Sequence, residues 1–179
     1  MNYIISLTDK DIFPMKEIAQ VSDWSKRKTV KILIQNKDGK IAMVTNPIHN
    51  FFLLPGGGID GDEDMFTSAD RESREEALCS IINPVEFGVT EEWRARDKKH
   101  YETFGVFAHE GVADTADTRT EDEKKNNLTV AWFFPDEVEE KLANQKELLK
   151  DGKVEFYNVG FNIVRDYVLF KTAREKKLF

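Results

Sequence analysis

Six residues in one short segment have types and spacings that could do chemistry together: Gly57, Glu63, Arg71, Glu72, Glu75 and Glu76. They lie in LPGGGIDGDEDMFTSADRESREEALCSI, residues 54–81, where an apolar run meets three glycines, then a cluster of acids, then a helical pattern. At about 100° per residue, Glu72, Glu75 and Glu76 share about a 100° arc of that helix. Three like charges at i, i+3 and i+4 repel, so the grouping benefits the helix only when a cation lies among them. Magnesium is the expected cation, with manganese as an alternative, because hard divalent ions combine a few carboxylates with water and phosphate oxygens. Such an ion neutralises phosphate charge and acidifies a bound water, while a neighbouring carboxylate orients that water or accepts its proton.

The residues around the glutamates suit the same chemistry. Gly56, Gly57 and Gly58 carry no side chains, so their backbone can approach a metal or a phosphate closely. Asp60, Asp62, Glu63 and Asp64 lead into the helix, where acids suit the positive end of its dipole. Arg71 neighbours these acids and is placed to fix one glutamate by a charge-assisted hydrogen bond.

Stepping outward, the elements that must hold this segment are readable from period and punctuation. Val30 to Ile34 and Lys40 to Val44 read as strands of a hairpin around Asn36-Lys37-Asp38-Gly39, and Phe51 to Leu54 as a third strand entering the glycine turn. The helix is expected from about Met65 to about Ile81, with Phe66, Ala69, Ser73, Ala77 and Ile81 as its inward stripe. Strands follow at Val85 to Glu91, Tyr101 to Ala108 and Leu128 to Phe134. Two helices close the chain, Asp136 to Leu149 with Val138, Leu142 and Leu149 inward, and Asn158 to Lys177 with Val159, Ile163, Tyr167 and Phe170 inward. Residues 110–127 read as a long polar loop, and residues 1–28 as an extension with a short strand at Tyr3 to Leu7 and a helical turn around Met15 to Val21.

Composition bounds the rest. The chain has 179 residues, 40% apolar and 33% charged, which suits one globular domain spanning 1–179 with a sizeable core. A formal net charge of −7 argues against a polynucleotide partner, while an acidic protein still binds phosphate compounds through divalent cations. No apolar run is long enough for a bilayer or a signal peptide, so a cytoplasmic location and no membrane partner are expected. The lone Cys79, placed among helix residues, reads as a small buried side chain rather than a nucleophile. A homodimer stays open.

The segment resembles the signature of the Nudix hydrolases: glycine, five residues, glutamate, seven residues, Arg-Glu, an apolar residue, any residue, Glu-Glu, any residue, glycine, apolar. Gly57, Glu63, Arg71, Glu72, Glu75 and Glu76 all match. The resemblance implies an α/β (α+β) fold, an α/β/α sandwich with a mixed sheet, and Mg²⁺-dependent cleavage of a diphosphate in nucleotide-like small molecules. It further implies that the Gly57 carbonyl and the carboxylates of Glu72, Glu75 and Glu76 are metal ligands, with Glu63 and Arg71 in support. Two positions depart from the pattern. Ser73 stands where an apolar residue is usual, which weakens helix packing, and Leu78 stands where glycine is usual, which suggests a helix running past its usual end.

Other readings compete with this one. Gly56, Gly58 and Gly61 also fit the dinucleotide-binding fingerprint, but Asp60, Asp62, Glu63 and Asp64 would repel a metal-free phosphate there. A catalytically weak Nudix domain that binds a nucleotide or a protein is the alternative from another class. A base outside the segment could come from Glu110, Glu121 or Glu123, with Glu123 preferred. His49, His100 and His109 are too scattered for a metal site and read as surface or strand-end residues. Among the aromatics, Phe51 and Phe52 are the candidates to stack on a base.

Overall fold

Along Val30-Lys31-Ile32-Leu33-Ile34, alternate side chains must leave a strand on opposite faces, and nearly all of them are apolar. Such a strand is stable only when both faces are covered. In the computed structural model, which describes residues 3–14, 20–46, 51–113, 129–154 and 156–179, that is its position. The elements in chain order are β1 (Ile5–Thr8), α1 (Asp9–Ile12), β2 (Ser25–Gln35), β3 (Ile41–Asn46), β4 (Phe51–Leu53), α2 (Met65–Ala77), β5 (Cys79–Arg94), β6 (Lys99–Ala113), β7 (Thr129–Phe133), α3 (Pro135–Lys150) and α4 (Tyr157–Glu175).

The strands form one mixed sheet in the order β1-β5-β6-β2-β3-β4, with β7 on the other edge of β3. β1 is parallel to β5 and β2 to β6, while the remaining pairs are antiparallel. Val30, Ile32 and Ile34 pack on one face with Ala69 and Ala77 of α2. Leu33 and Met43 pack on the other with Val138 and Leu142 of α3 and Leu169 and Phe170 of α4. The layers are thus helix, sheet, helix, the α/β/α sandwich expected. Among the described residues, no helix is long and apolar enough to cross a membrane.

Several expectations are corrected. α2 ends at Ala77 rather than Ile81, because Leu78 adopts a left-handed conformation at φ 57° and Cys79 at once begins β5. Cys79 is therefore a strand residue, although buried as expected. Phe66 is 38% exposed instead of facing the core, Ile81 lies on β5, and the inward face of α2 is the small-residue row Ala69, Ser73, Ala77. Ser73 does not loosen that packing: it is fully buried, and its hydroxyl donates to the Ala69 carbonyl at 2.6 Å. On α4 the inward set differs from the expected stripe: Ile163 and Phe170 are buried but Val159 and Tyr167 only partly so, and Phe161, Val164, Leu169 and Ala173 are buried as well.

The described residues before Thr29 join the fold. β1 adds an edge to the sheet, and Leu7 and Ile12 pack with Tyr157, Phe161 and Val164 of α4. Of the helical turn expected around Met15 to Val21, residues 15–19 lie outside the described residues. β6 continues to Ala113, so the expected loop from Glu110 begins later than thought, and residues 114–128, with Glu121 and Glu123, lie outside the described residues.

Candidate active site

The glycine turn is positioned by β2. After β4 the chain runs back along that strand: Ile32 N–H donates to the Pro55 carbonyl at 2.9 Å, Val30 N–H to the Gly57 carbonyl at 2.9 Å, and Ile59 N–H to the Lys28 carbonyl at 3.1 Å. Gly56 sits at φ 128°, and a Cβ there would fall 2.2 Å from the Val30 carbonyl oxygen, so no other residue fits. The strand leading into the turn is anchored from two sides. Leu54 N–H donates to Asp166 Oδ2 of α4 at 2.9 Å, and Lys31 Nζ donates to the Leu54 and Gly56 carbonyls at 2.8 and 2.6 Å.

α2 starts where the acids predict. Asp64 caps it, accepting from Phe66 N–H at 2.9 Å and Thr67 N–H at 3.1 Å. One turn on, Arg71 binds nearly everything near it: Nη1 reaches Glu72 at 2.7 Å and Glu75 at 3.1 Å, while Nη2 reaches Glu63 at 3.2 Å and the Gly58 carbonyl at 2.8 Å. Glu76 Oε2 accepts from Gly56 N–H at 2.6 Å. Gly57 lies against the carboxylate of Glu72, and a Cβ at Gly57 would stand 2.5 Å from Glu72 Oε1. The structure therefore brings Gly57, Glu63, Arg71, Glu72, Glu75 and Glu76 into one connected cluster.

Burial and neighbouring charges set the protonation of this cluster in opposite directions. Burial pushes the Glu72 carboxyl above the usual carboxylate range, and nearby Glu75 adds to the shift against the pull of Arg71 and Lys31. Glu63 is held below that range by its hydrogen bonds from Arg71 and Ser68, and the Arg71 guanidinium is raised in turn. Among the described residues, no three His, Cys, Asp or Glu side chains converge as a finished metal cage. Arg71 Nη1 stands between Glu72 and Glu75 where such a cage would close. The donors nevertheless fit a hard divalent ion: all are oxygens, Glu72 is buried, and the bare Gly57 leaves room over its carboxylate. The Gly57 carbonyl already accepts from Val30 and keeps one lone pair for a further partner.

Sequence reasoning missed what lies on the far side of the turn. A pocket of about 190 Å³ opens there, walled by Gly56, Gly57 and Gly58 and lined by Arg27, Lys31, Arg94 and Arg165. Lys31 was the one readable signal, a lone cation in a strand otherwise apolar on both faces. Of the other candidates, Glu110 lies on β6 in register with Ile81. His100 is buried, stacked on Trp93 at 3.8 Å and paired with Glu91 at 2.9 Å, so it is no surface residue. His109 is exposed, and His49 lies outside the described residues. Phe52 packs edge-on against Phe133 beside α3.

The NUDIX domain family model matches residues 25–152. The chain belongs to that family and is a Nudix hydrolase. Among solved structures it is similar to a NUDIX hydrolase from Nitrosomonas europaea, with a TM-score of 0.56 and 20% identity over 80% of this chain and 88% of that one. A mutator MutT protein from Bacillus halodurans aligns with a TM-score of 0.52 and 19% identity over 69% and 80% of the two chains. An ADP compounds hydrolase aligns with a TM-score of 0.56 and 16% identity over 85% and 73%. At such identities the likeness is one of fold. No curated protein matches the sequence.

Proposed function

We propose that this Nudix hydrolase cleaves a phosphoanhydride bond in a nucleoside diphosphate joined to another group, and that it depends on Mg²⁺ or Mn²⁺. Glu72, Glu75, Glu76 and the Gly57 carbonyl would hold the ion, which supplies charge neutralisation and an acidified water. The carboxylate cluster takes the proton of the attacking water, a new P–O bond forms, and the anhydride P–O bond breaks to leave two phosphate esters. Arg71 acts as a positioning residue by tying Glu63, Glu72 and Glu75 to the turn. On this reading the protein is one domain acting in the cytoplasm on a small molecule, with neither polynucleotide nor membrane as partner.

The observation that carries the reading is the Glu76–Gly56 hydrogen bond together with the contact of Gly57 on Glu72, which make turn and helix one unit. Glu76→Gln removes a charge while keeping an acceptor for Gly56 N–H. It is expected to lower turnover about 10²-fold or more with an unchanged melting curve. A panel of nucleoside triphosphates, ADP-ribose, dinucleoside polyphosphates and nucleotide sugars, assayed with and without Mg²⁺, supplies the substrate. No release of phosphate or nucleoside monophosphate from any of them would move the protein to the binding-module reading.

A further inference from the structure

Four cations look into the pocket behind the glycine turn, and they differ in how well they are balanced. Arg94 and Arg165 share Glu92, which is fully buried, and Arg165 Nε also binds the fully buried Asp166 at 2.8 Å. Lys31 donates only to neutral carbonyls. Arg27, on an exposed stretch of β2, has no hydrogen-bond or ion-pair partner among the described residues and lies flat on the bare Gly58. Lys31, held below its usual range by burial, also lies in the field of Glu76, Asp166 and Glu72, so Arg27 is the cation at this pocket that no carboxylate among the described residues pairs with.

One donor at this place is left over. Arg165 is 4% exposed, its Nε and Nη1 are used by Asp166 and Glu92, and its Nη2 has no partner. Buried donors in folded proteins nearly always find an acceptor, and an orphan guanidinium nitrogen on a pocket wall asks for an anionic one. Neutral donors are close by. Asn162 spends its oxygen on Arg94, which leaves its amide N–H groups, and Tyr101, whose ring sits over the Arg94 guanidinium at 4.5 Å, also lines the pocket.

Size and place narrow the ligand. At about 190 Å³ the pocket is smaller than the ~300–1,000 Å³ of sites that swallow a whole small molecule, so it takes a group. Donors converging from β2, β5 and α4, two of them guanidinium groups with N–H bonds unused, match a tetrahedral phosphate better than a planar monoanion. Gly57 is shared: one side of it touches Glu72 and the other walls this pocket.

We propose that the pocket binds a phosphate group that the substrate carries in addition to the diphosphate linkage that is cleaved, with Arg27 and Arg165 Nη2 as its principal donors. The carrier's identity rests on the hydrolase reading above; the anion site itself does not. A phosphate monoester on a sugar and the terminal phosphate of a polyphosphate chain offer the same chemistry, and paired substrates separate them.

The test has two arms. In the first, metal-free protein is titrated with inorganic phosphate and, separately, with acetate, followed by the NMR signals of the arginine side chains. Saturable phosphate binding is expected, weakened tenfold or more in Arg27→Gln and retained in Glu76→Gln, which lacks only the hydrolytic machinery. Arg165→Met would remove the ion-pair partner of buried Asp166 and one of the two of Glu92, so the exposed Arg27 is the informative position. In the second, kcat/KM is compared within pairs that differ by one phosphate: coenzyme A against dephospho-coenzyme A, NADP⁺ against NAD⁺, and ATP against ADP. A preference of tenfold or more for the richer member of one pair is expected, carried by KM and erased by Arg27→Gln. The pair that shows it names the source. Acetate binding as tightly as phosphate, or phosphate binding without any pair preference among substrates that turn over, would overturn the proposal. Phosphate binding that depends on Arg27 in a protein with no turnover would uphold the anion site and overturn the hydrolase reading instead.

Discussion

On one side of the Gly56–Gly58 turn three glutamates share a single guanidinium; on the other, four cations line a pocket beside the buried carboxylates of Glu92 and Asp166. The acidic side comes from one continuous stretch, Gly57 to Glu76, folded by a cap, a helix and one arginine. The basic side is collected from β2, β5 and α4, and exists only once the sheet and its covering helix are assembled. Each side is left incomplete in the opposite sense: Glu72 is buried with its carboxyl pushed upward, and Arg165 is buried with a nitrogen unused. Local rules are broken where function needs them to be. On the proposed function a cation would complete the first side and an anion the second, and a metal-bound substrate with an additional phosphate would supply both.

Glu72→Gln breaks the comparison most sharply. Because the folded-state pKa of Glu72 lies above its unfolded value, the folded protein favours the protonated form. Its contribution is present below the ordinary carboxylate pKa of about 4.3 and is lost as pH rises through the folded value, so at neutral pH metal-free protein carries a penalty. Glutamine removes the penalty and still accepts from Arg71. Turnover is expected to fall about 10²-fold or more, while metal-free stability at neutral pH rises on the order of 1 kcal/mol and the pH dependence of melting above the carboxylate range flattens. A variant less stable than the parent at neutral pH would show that Arg71, rather than an external cation, is the partner Glu72 is built for.

Gly57→Ala tests the wall between the two sides. The new methyl would stand 2.5 Å from Glu72 Oε1, the free end of a side chain, so the carboxylate can move aside at small cost to the fold. A displaced carboxylate no longer sits where the chemistry requires it, and kcat should fall about 10–100-fold with melting nearly unchanged. Inorganic phosphate should bind as in the parent, because Arg27 and Arg165 are untouched. Equal losses of turnover and phosphate binding would mean that the turn serves one site, not two.

The acidic side was legible because the signals that mark it are local. Glycine spacing, a helix-capping acid and a 3.6-residue period all act within about twenty residues of sequence, while β2 and Asp166 of α4 hold the turn in place against the helix. The sandwich was legible only through the resemblance that this segment carries; the apolar run Val30 to Ile34, which needs cover on both faces, agrees with it. Arg94 and Arg165 lie far apart in sequence, and nothing near either one announces that both turn inward to Glu92. His100 misled because its neighbours Lys99 and Tyr101 gave a strand end no inward sign, and its burial depends on Trp93 across the hairpin. The end of α2 was misjudged because a leucine carried out the turn that glycine usually makes.

That leucine gives the smallest test, confined to the acidic side. Leu78 holds φ 57° and ψ 33°, and its N–H donates to the Ser73 carbonyl to close the helix. A left-handed conformation costs a residue with a Cβ roughly 1–2 kcal/mol, which glycine avoids, although glycine gives back part of this through its freer unfolded chain. Leu78 is half-buried, so glycine also loses some side-chain burial. Leu78→Gly should therefore melt within about 2–4 °C of the parent, a change of about 1 kcal/mol or less. Leu78→Val should melt lower than both, because branching at Cβ sharpens the clash in this conformation. Turnover of the glycine variant should stay within about twofold, since its change falls after the last glutamate of the cluster. If valine and glycine melted together, the left-handed stop would not be what ends the helix, and the placement of Glu75 and Glu76 one turn before it would need another cause.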